Sequence, residues 1–171
     1  MNNPHGNMVD LRDPKNPVLL VADRGNQRIV RYTLDDKPID VIAGTLQPCH
    51  FHEHKGMIVV PDLAARVSLL DKDNKVVAHL CEGLTGNPPR TTEDRKSFVA
   101  GQFVNPHGAC FDHNGNIFVA TSHEDISGSN RVVLYGVRIP PQAESAFGKY
   151  VQKMLGGYLL HVRVKRRVEG G

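Results

Sequence analysis

The chain contains no apolar run approaching the roughly 18 residues that a membrane-spanning helix requires, so a spanning segment is excluded. Its three cysteines, Cys49, Cys81 and Cys110, are odd in number and lack Cys-x-x-Cys spacing, which argues against a disulfide framework or a cysteine-rich zinc site. The opening Met1-Asn-Asn-Pro-His-Gly6 has neither a charged leader nor an apolar core, so no secretory signal is visible; an exported parent protein stays open. A phosphate-binding glycine loop is missing too, because Gly25 and Gly44 stand alone. The net charge of +3 is not a basic surface. Four of the 21 basic residues (Arg163, Lys165, Arg166, Arg167) and one of the 18 acids lie in the last nine positions; the rest balance at 17 each. Nucleic acid is not an expected partner. What remains is a chain of 171 residues, 40% apolar and 23% charged, the composition of one folded domain.

Internal repetition is the strongest feature present. One order of events recurs three times. First come Asn3-Pro4-His5-Gly6, Val18-Leu-Leu-Val-Ala-Asp23, Gln27-Arg28-Ile29-Val30 and Pro38-Ile-Asp-Val-Ile42. Then come Pro48-Cys49-His50-Phe51, Met57-Ile-Val-Val-Pro-Asp62, Arg66-Val67-Ser-Leu-Leu70 and Lys75-Val-Val-Ala-His-Leu80. The third copy is Asn105-Pro106-His107-Gly108, Asn116-Ile-Phe-Val-Ala120 and Arg131-Val-Val-Leu-Tyr135. Short β-branched runs bounded by Asp, Asn and Gly turns predict antiparallel strands, about four to a unit.

The prolines that start the units are 44 and 58 residues apart, and the longer interval holds a polar stretch, 84–99, expected to be an inserted loop. A four-stranded unit of about 40–45 residues is the size of a β-propeller blade. The expected architecture is therefore all-β: three blades at about 3–46, 47–83 and 100–137, and an appendage at 138–171. In that appendage Phe147, Tyr150, Val151, Met154, Leu155 and Tyr158 recur at helical spacing, and Leu160, Val162 and Val164 alternate like a strand. Propellers close with about four to eight blades, so three predict either a fragment of a longer propeller or self-association of copies to complete a ring.

In order along the chain, Val21-Ala-Asp23-Arg24-Gly-Asn26, Ala100-Gly-Gln-Phe103, Pro106-His107-Gly108, Asp112-His-Asn-Gly115 and Asn130-Arg131-Val132 follow a known blade pattern. On these residues the chain resembles the NHL-repeat β-propeller family over about 3–137. A narrower resemblance, carried by the Pro-His motifs and by Ala22-Asp23-Arg24, is to the six-bladed peptidyl-α-hydroxyglycine α-amidating lyases. That resemblance implies zinc held at the axial channel by His5, His50 and His107, with calcium the alternative ion, and a catalytic Arg24. The second repeat departs from it by carrying Cys49 between proline and histidine, and no tyrosine matches the family's catalytic one.

The residues support metal binding independently of any name. Blade symmetry places equivalent residues at one radius, so three imidazoles converge and leave the open fourth position of a catalytic zinc. Arg24, a permanent forked cation, suits a carboxylate or an oxyanion on a small peptide-like or anionic ligand. The competing reading is a non-catalytic scaffold in which Pro-His-Gly is merely the turn into a strand. His52 and His54 would join His50 on one face of a strand, but a solvated loop is the simpler expectation. Cys81 and Cys110 read as small core residues, and His79 as a partly buried, satisfied side chain. Arg28, Arg66 and Arg131 recur like a structural hydrogen bond between blades.

Overall fold

A computed structural model of the chain describes residues 1–80, 102–103, 105–124, 130–137 and 162–164, with side chains described as far as residue 121. The proline-led segments form β1 (Pro4–Asp10), the short β5 (His52–His54) and β9 (Pro106–Phe111). Apolar runs follow as β2 (Val18–Asp23), β6 (Met57–Asp62) and β10 (Ile117–Glu124). Next come β3 (Arg28–Thr33), β7 (Arg66–Leu70) and β11 (Asn130–Val137), and last β4 (Pro38–Ile42), β8 (Val76–Leu80) and β12 (Val162–Val164). All pairing is antiparallel and between consecutive strands. β1 to β4 make one four-stranded sheet and β5 to β8 a second, while β9, β10 and β11 repeat the pattern with β12 beside β11. The fold is all-β, and no α-helix occurs among the described residues.

Strand pairing thus crosses the boundary expected at residue 137, because part of the appendage adds to the third group of strands. The helical pattern over Phe147 to Tyr158, the inserted loop at 84–99 and Cys81 lie outside the described residues.

Turn chemistry explains the register. Lys55 and Gly56 both have positive φ (50° and 84°), the two-residue type I′ hairpin whose twist matches the flanking strands. Asp36 (φ 65°) and Asn74 (φ 61°) take the left-handed conformation at equivalent places between the third and fourth strands, where short polar side chains tolerate it best.

Side-chain alternation decides which sheet meets which. In β6, Ile58 and Val60 join Leu70 and Phe51 against Leu20, Ala22, Ile29 and Ile42 of the first sheet. Val59, with Val67 and Leu69, packs the other way, against Ala109, Phe111, Ile117 and Val119. The middle sheet is therefore buried on both faces, which is why β6 opens on the apolar run Met57-Ile-Val-Val60 and every residue of β7, Arg66 and Ser68 included, is buried. Each such side chain contributes about 1.5–3 kcal/mol through removal from water.

Arg12 locks the first two sheets together. Its guanidinium pairs with Asp10 at 2.7 Å, donates to the Asp71 carbonyl at 2.6 Å and reaches Asn74, with both charged side chains nearly enclosed.

Candidate metal centre

Two buried carboxylates hold the chain where each proline-led segment begins. Asp23, fully buried at the end of β2, accepts the Asn2 backbone N–H at 2.6 Å, the Asn26 side-chain amide at 2.8 Å and Arg28 Nε at 2.8 Å. Burial alone would raise its pKa, but these donors outweigh it and hold the carboxyl at about 2. Asp62, at the end of β6, does the same for the second repeat. It accepts the Leu46 N–H at 2.6 Å, the Gln47 N–H and Arg66 Nε at 3.3 Å, while Arg66 also donates to the Gly44 carbonyl at 3.0 Å. The recurring arginines are structural at positions 28 and 66, but among the described residues each pairs with a carboxylate of its own sheet rather than between sheets, Arg66 alone also reaching Gly44 of the preceding repeat. The side chain of Arg131 lies outside the described residues. Each clamp lies within three residues of a candidate ligand, His5 in one case and Cys49 in the other.

The clamped segments bring His5, Cys49 and His107 together, one from each group of strands, with one ligand atom of each within 4.8 Å of the others. The His5 and His107 rings meet edge to face with centroids 4.6 Å apart. His5 Nδ1 lies 2.8 Å from the Cys49 carbonyl oxygen. A carbonyl can only accept, so Nδ1 carries the proton and the Nε2 lone pair is left for a ligand. Gly6 makes this approach feasible: its N–H donates to the same carbonyl at 2.9 Å, and a Cβ there would collide with that oxygen.

Charge around the group favours neutral donors. Burial, followed by the fields of His5, Arg24 and His50, holds the His107 pKa below that of an ordinary imidazole. The Cys49 thiol is fully enclosed, and burial pushes its pKa up even though Arg24 opposes that shift. A free thiolate nucleophile at this position is disfavoured; a metal ion would supply the charge needed to displace the proton. Arg24 places Nη1 3.8 Å from Cys49 Sγ and Nη2 3.2 Å from Asn3 Oδ1. It sits at the group as a cation without a carboxylate among its described partners.

His5 and His107 are therefore together, Arg24 is beside them, and His50 is exposed and outside the three-residue group. Its place is taken by Cys49. The distinguishing signal is an offset: the ligand follows the proline directly in Pro4-His5, Pro48-Cys49 and Pro106-His107. Following the histidine instead shifts the second repeat by one residue, and neighbouring side chains on an extended chain point to opposite sides.

His52 and His54 are not in a solvated loop. Both are half-buried in β5; His52 Nδ1 accepts the Phe111 N–H at 3.2 Å, and the His54 ring packs on Phe111 with centroids 5.6 Å apart. His79 is half-buried with Nδ1 3.0 Å from Ser68 Oγ, as a satisfied strand histidine should be. Cys110 differs from expectation in being exposed, because the face of β9 that it occupies is not covered by the described residues.

The donor set suits a borderline-soft ion. Two imidazole nitrogens and a sulfur match the ligand chemistry of zinc. They do not suit calcium, which takes six to eight oxygens. No protein-family model and no curated protein matches this chain.

Proposed function

We propose that this chain carries a metal-dependent, lyase-like site of the peptidyl-α-hydroxyglycine α-amidating type, set in an NHL-type propeller. His5, Cys49 and His107 hold zinc, and Arg24 receives an anionic group of a small peptide-like substrate. The observation that carries this reading is the convergence of three donors from three successive repeats on one point, with an arginine against the sulfur. Sequence-distant groups meet this way in a propeller because equivalent residues of its blades share one radius.

A bound zinc would supply Lewis acidity, polarising a carbinol oxygen. The rest of the work belongs to the chain. His5 is fixed in the tautomer that presents Nε2, through its bond to the Cys49 carbonyl. His107 stays neutral and able to coordinate at physiological pH. Arg24 presents a forked donor to a carboxylate while Asn3 steadies its other nitrogen. Asp23 and Asp62 act one step further out, holding the segments on which His5 and Cys49 lie.

Zinc content of the purified, folded chain tests this reading. One zinc per chain is expected, falling to a small fraction in His107→Ala and in Cys49→Ser, while His50→Ala keeps it. Turnover of an α-hydroxyglycine peptide by the zinc-loaded protein, reduced at least tenfold in Arg24→Ala, tests the chemistry. Folded protein that takes up no zinc refutes the site and leaves a binding scaffold. Zinc uptake without turnover refutes the lyase assignment alone.

A further inference from the structure

The two internal contacts between sheets obey one rule. In the first, the face of the first sheet bearing Leu20 and Ala22 meets the face of the second bearing Ile58 and Val60. In the second, the face of the middle sheet bearing Val59 meets the face of the third bearing Ile117 and Val119. Aligning the repeats on Ala22-Asp23, Pro61-Asp62 and Ala120-Thr121 makes Leu19, Ile58 and Ile117 equivalent, and likewise Leu20, Val59 and Phe118. Each interface thus joins a Leu20-type face to an Ile58-type face. Both are made head to tail.

Among the described residues one face of each type is left over. On the first sheet, Val9, Leu19 and Tyr32 lie directly opposite one another across β1, β2 and β3, and Val21, Val30 and Val41 across β2, β3 and β4. This is the Ile58-type face, and its rim is open: Val9 is 46% and Val41 51% exposed. Across the third group, Phe118 lies opposite Cys110 on the Leu20-type face, where Phe118 is 40% exposed and Cys110 is exposed as well. Leu20 and Val59, the counterparts of Phe118, are fully buried, and Met8 and His52, those of Cys110, are half-buried.

We propose that these two open faces take a second copy of this chain, the Phe118 face of one copy packing on the Val41 face of the other. The argument is repetition: the open faces are the two halves of an interface that the molecule already makes twice. Such a heterologous contact either closes into a ring or runs on as a filament. Two copies bring six sheets, within the range of about four to eight at which sheets fanned around an axis close. This inference rests on packing alone and would stand if the metal site bound nothing.

Sedimentation of the full chain tests it, with circular dichroism to show that each variant is folded. The wild type is expected at twice the chain mass, and Val41→Lys and Phe118→Lys each at the single mass. Mixing those two variants should regain the double-mass species, because one interface then has both wild-type faces. A wild type of single mass overturns the proposal, as does loss of the dimer in Val41→Lys but not in Phe118→Lys, which would mean like faces meeting. Failure of the mixture to recover overturns it too. Alkylation of Cys110 in the unmutated chain is a second readout that needs no folded variant. Protection that disappears on dilution is expected, and reactivity independent of concentration refutes the contact.

Discussion

The first and second sheets are built from the same repeat, yet they live in different surroundings. The second is covered on both sides, so Ile58, Val59 and Val60 are successive residues with no exposure at all. The first is covered on one side, and along β2 the burial alternates: Leu20 and Ala22 are buried, Leu19 and Val21 half-buried. Their carboxylate clamps follow suit. Asp62 holds an arginine whose side chain is 10% exposed, whereas the arginine of Asp23 is 42% exposed. One sequence pattern therefore serves two energetic settings, and the neighbour rather than the repeat decides how much each residue matters.

Four substitutions would break or sharpen that contrast. The largest effect is expected at the clamps. Asp62→Asn takes the Asp62 charge away from the enclosed Arg66 and places an amide against backbone donors, costing about 3–5 kcal/mol. Asp23→Asn costs less, since water can reach Arg28. Chemical denaturation of both variants measures the difference, and equal losses would show that enclosure of the arginine is irrelevant. Next come the apolar equivalents. Ile58→Ala opens a cavity in a closed core and is expected to cost about 2–5 kcal/mol, against about 1 kcal/mol for Leu19→Ala at the half-open face. In a self-associated protein Leu19→Ala would also lower the concentration dependence of stability, which Ile58→Ala would not selectively do.

Much of this was legible from residue order. The repeated Pro-led motif, the apolar run ending in Asp23 or Asp62, and the following arginine mark the strand order of each unit, because each step is local turn and strand chemistry. His5 and His107 could be singled out by the same logic; Arg24, whose counterparts in the other repeats are Leu63 and Ser122, stands out through the family resemblance of Ala22-Asp23-Arg24. Cys49 could not, as long as residue type rather than distance from the proline was followed. Cys110 shows a different limit. Alternation along β9 assigns it a face, but whether that face has a cover depends on a neighbour that local sequence does not encode. The alternation of Val162 and Val164 announced the strand β12, but its partner was hidden by separation: Val162 pairs with Val137 across a long intervening stretch, and no turn signal spans it. His52 and His54 lie in a three-residue strand too short to announce itself by period, and Phe111, which packs on them, is distant in sequence.

The measurement that isolates a single clamp is acid sensitivity. Asp23 titrates at about 2 in the folded chain against an ordinary value of 3.8. On lowering the pH, the unfolded chain takes up that proton first, so protonation favours unfolding throughout the interval. The stabilisation from this carboxylate is complete above about pH 4 and disappears as the pH falls towards 2. Asp10 contributes in the same direction, because its own lowered pKa comes from Arg12 against the opposing effect of burial. Asp23→Asn should therefore be less stable than the wild type at pH 7 but lose less on going from pH 5 to pH 2.5, so that the two stability curves converge in acid. Denaturation midpoints across that range provide the measurement. Parallel curves would mean that the carboxylate of Asp23 is no better held in the folded state than in the unfolded one, and its role in setting the position of His5 would go with it.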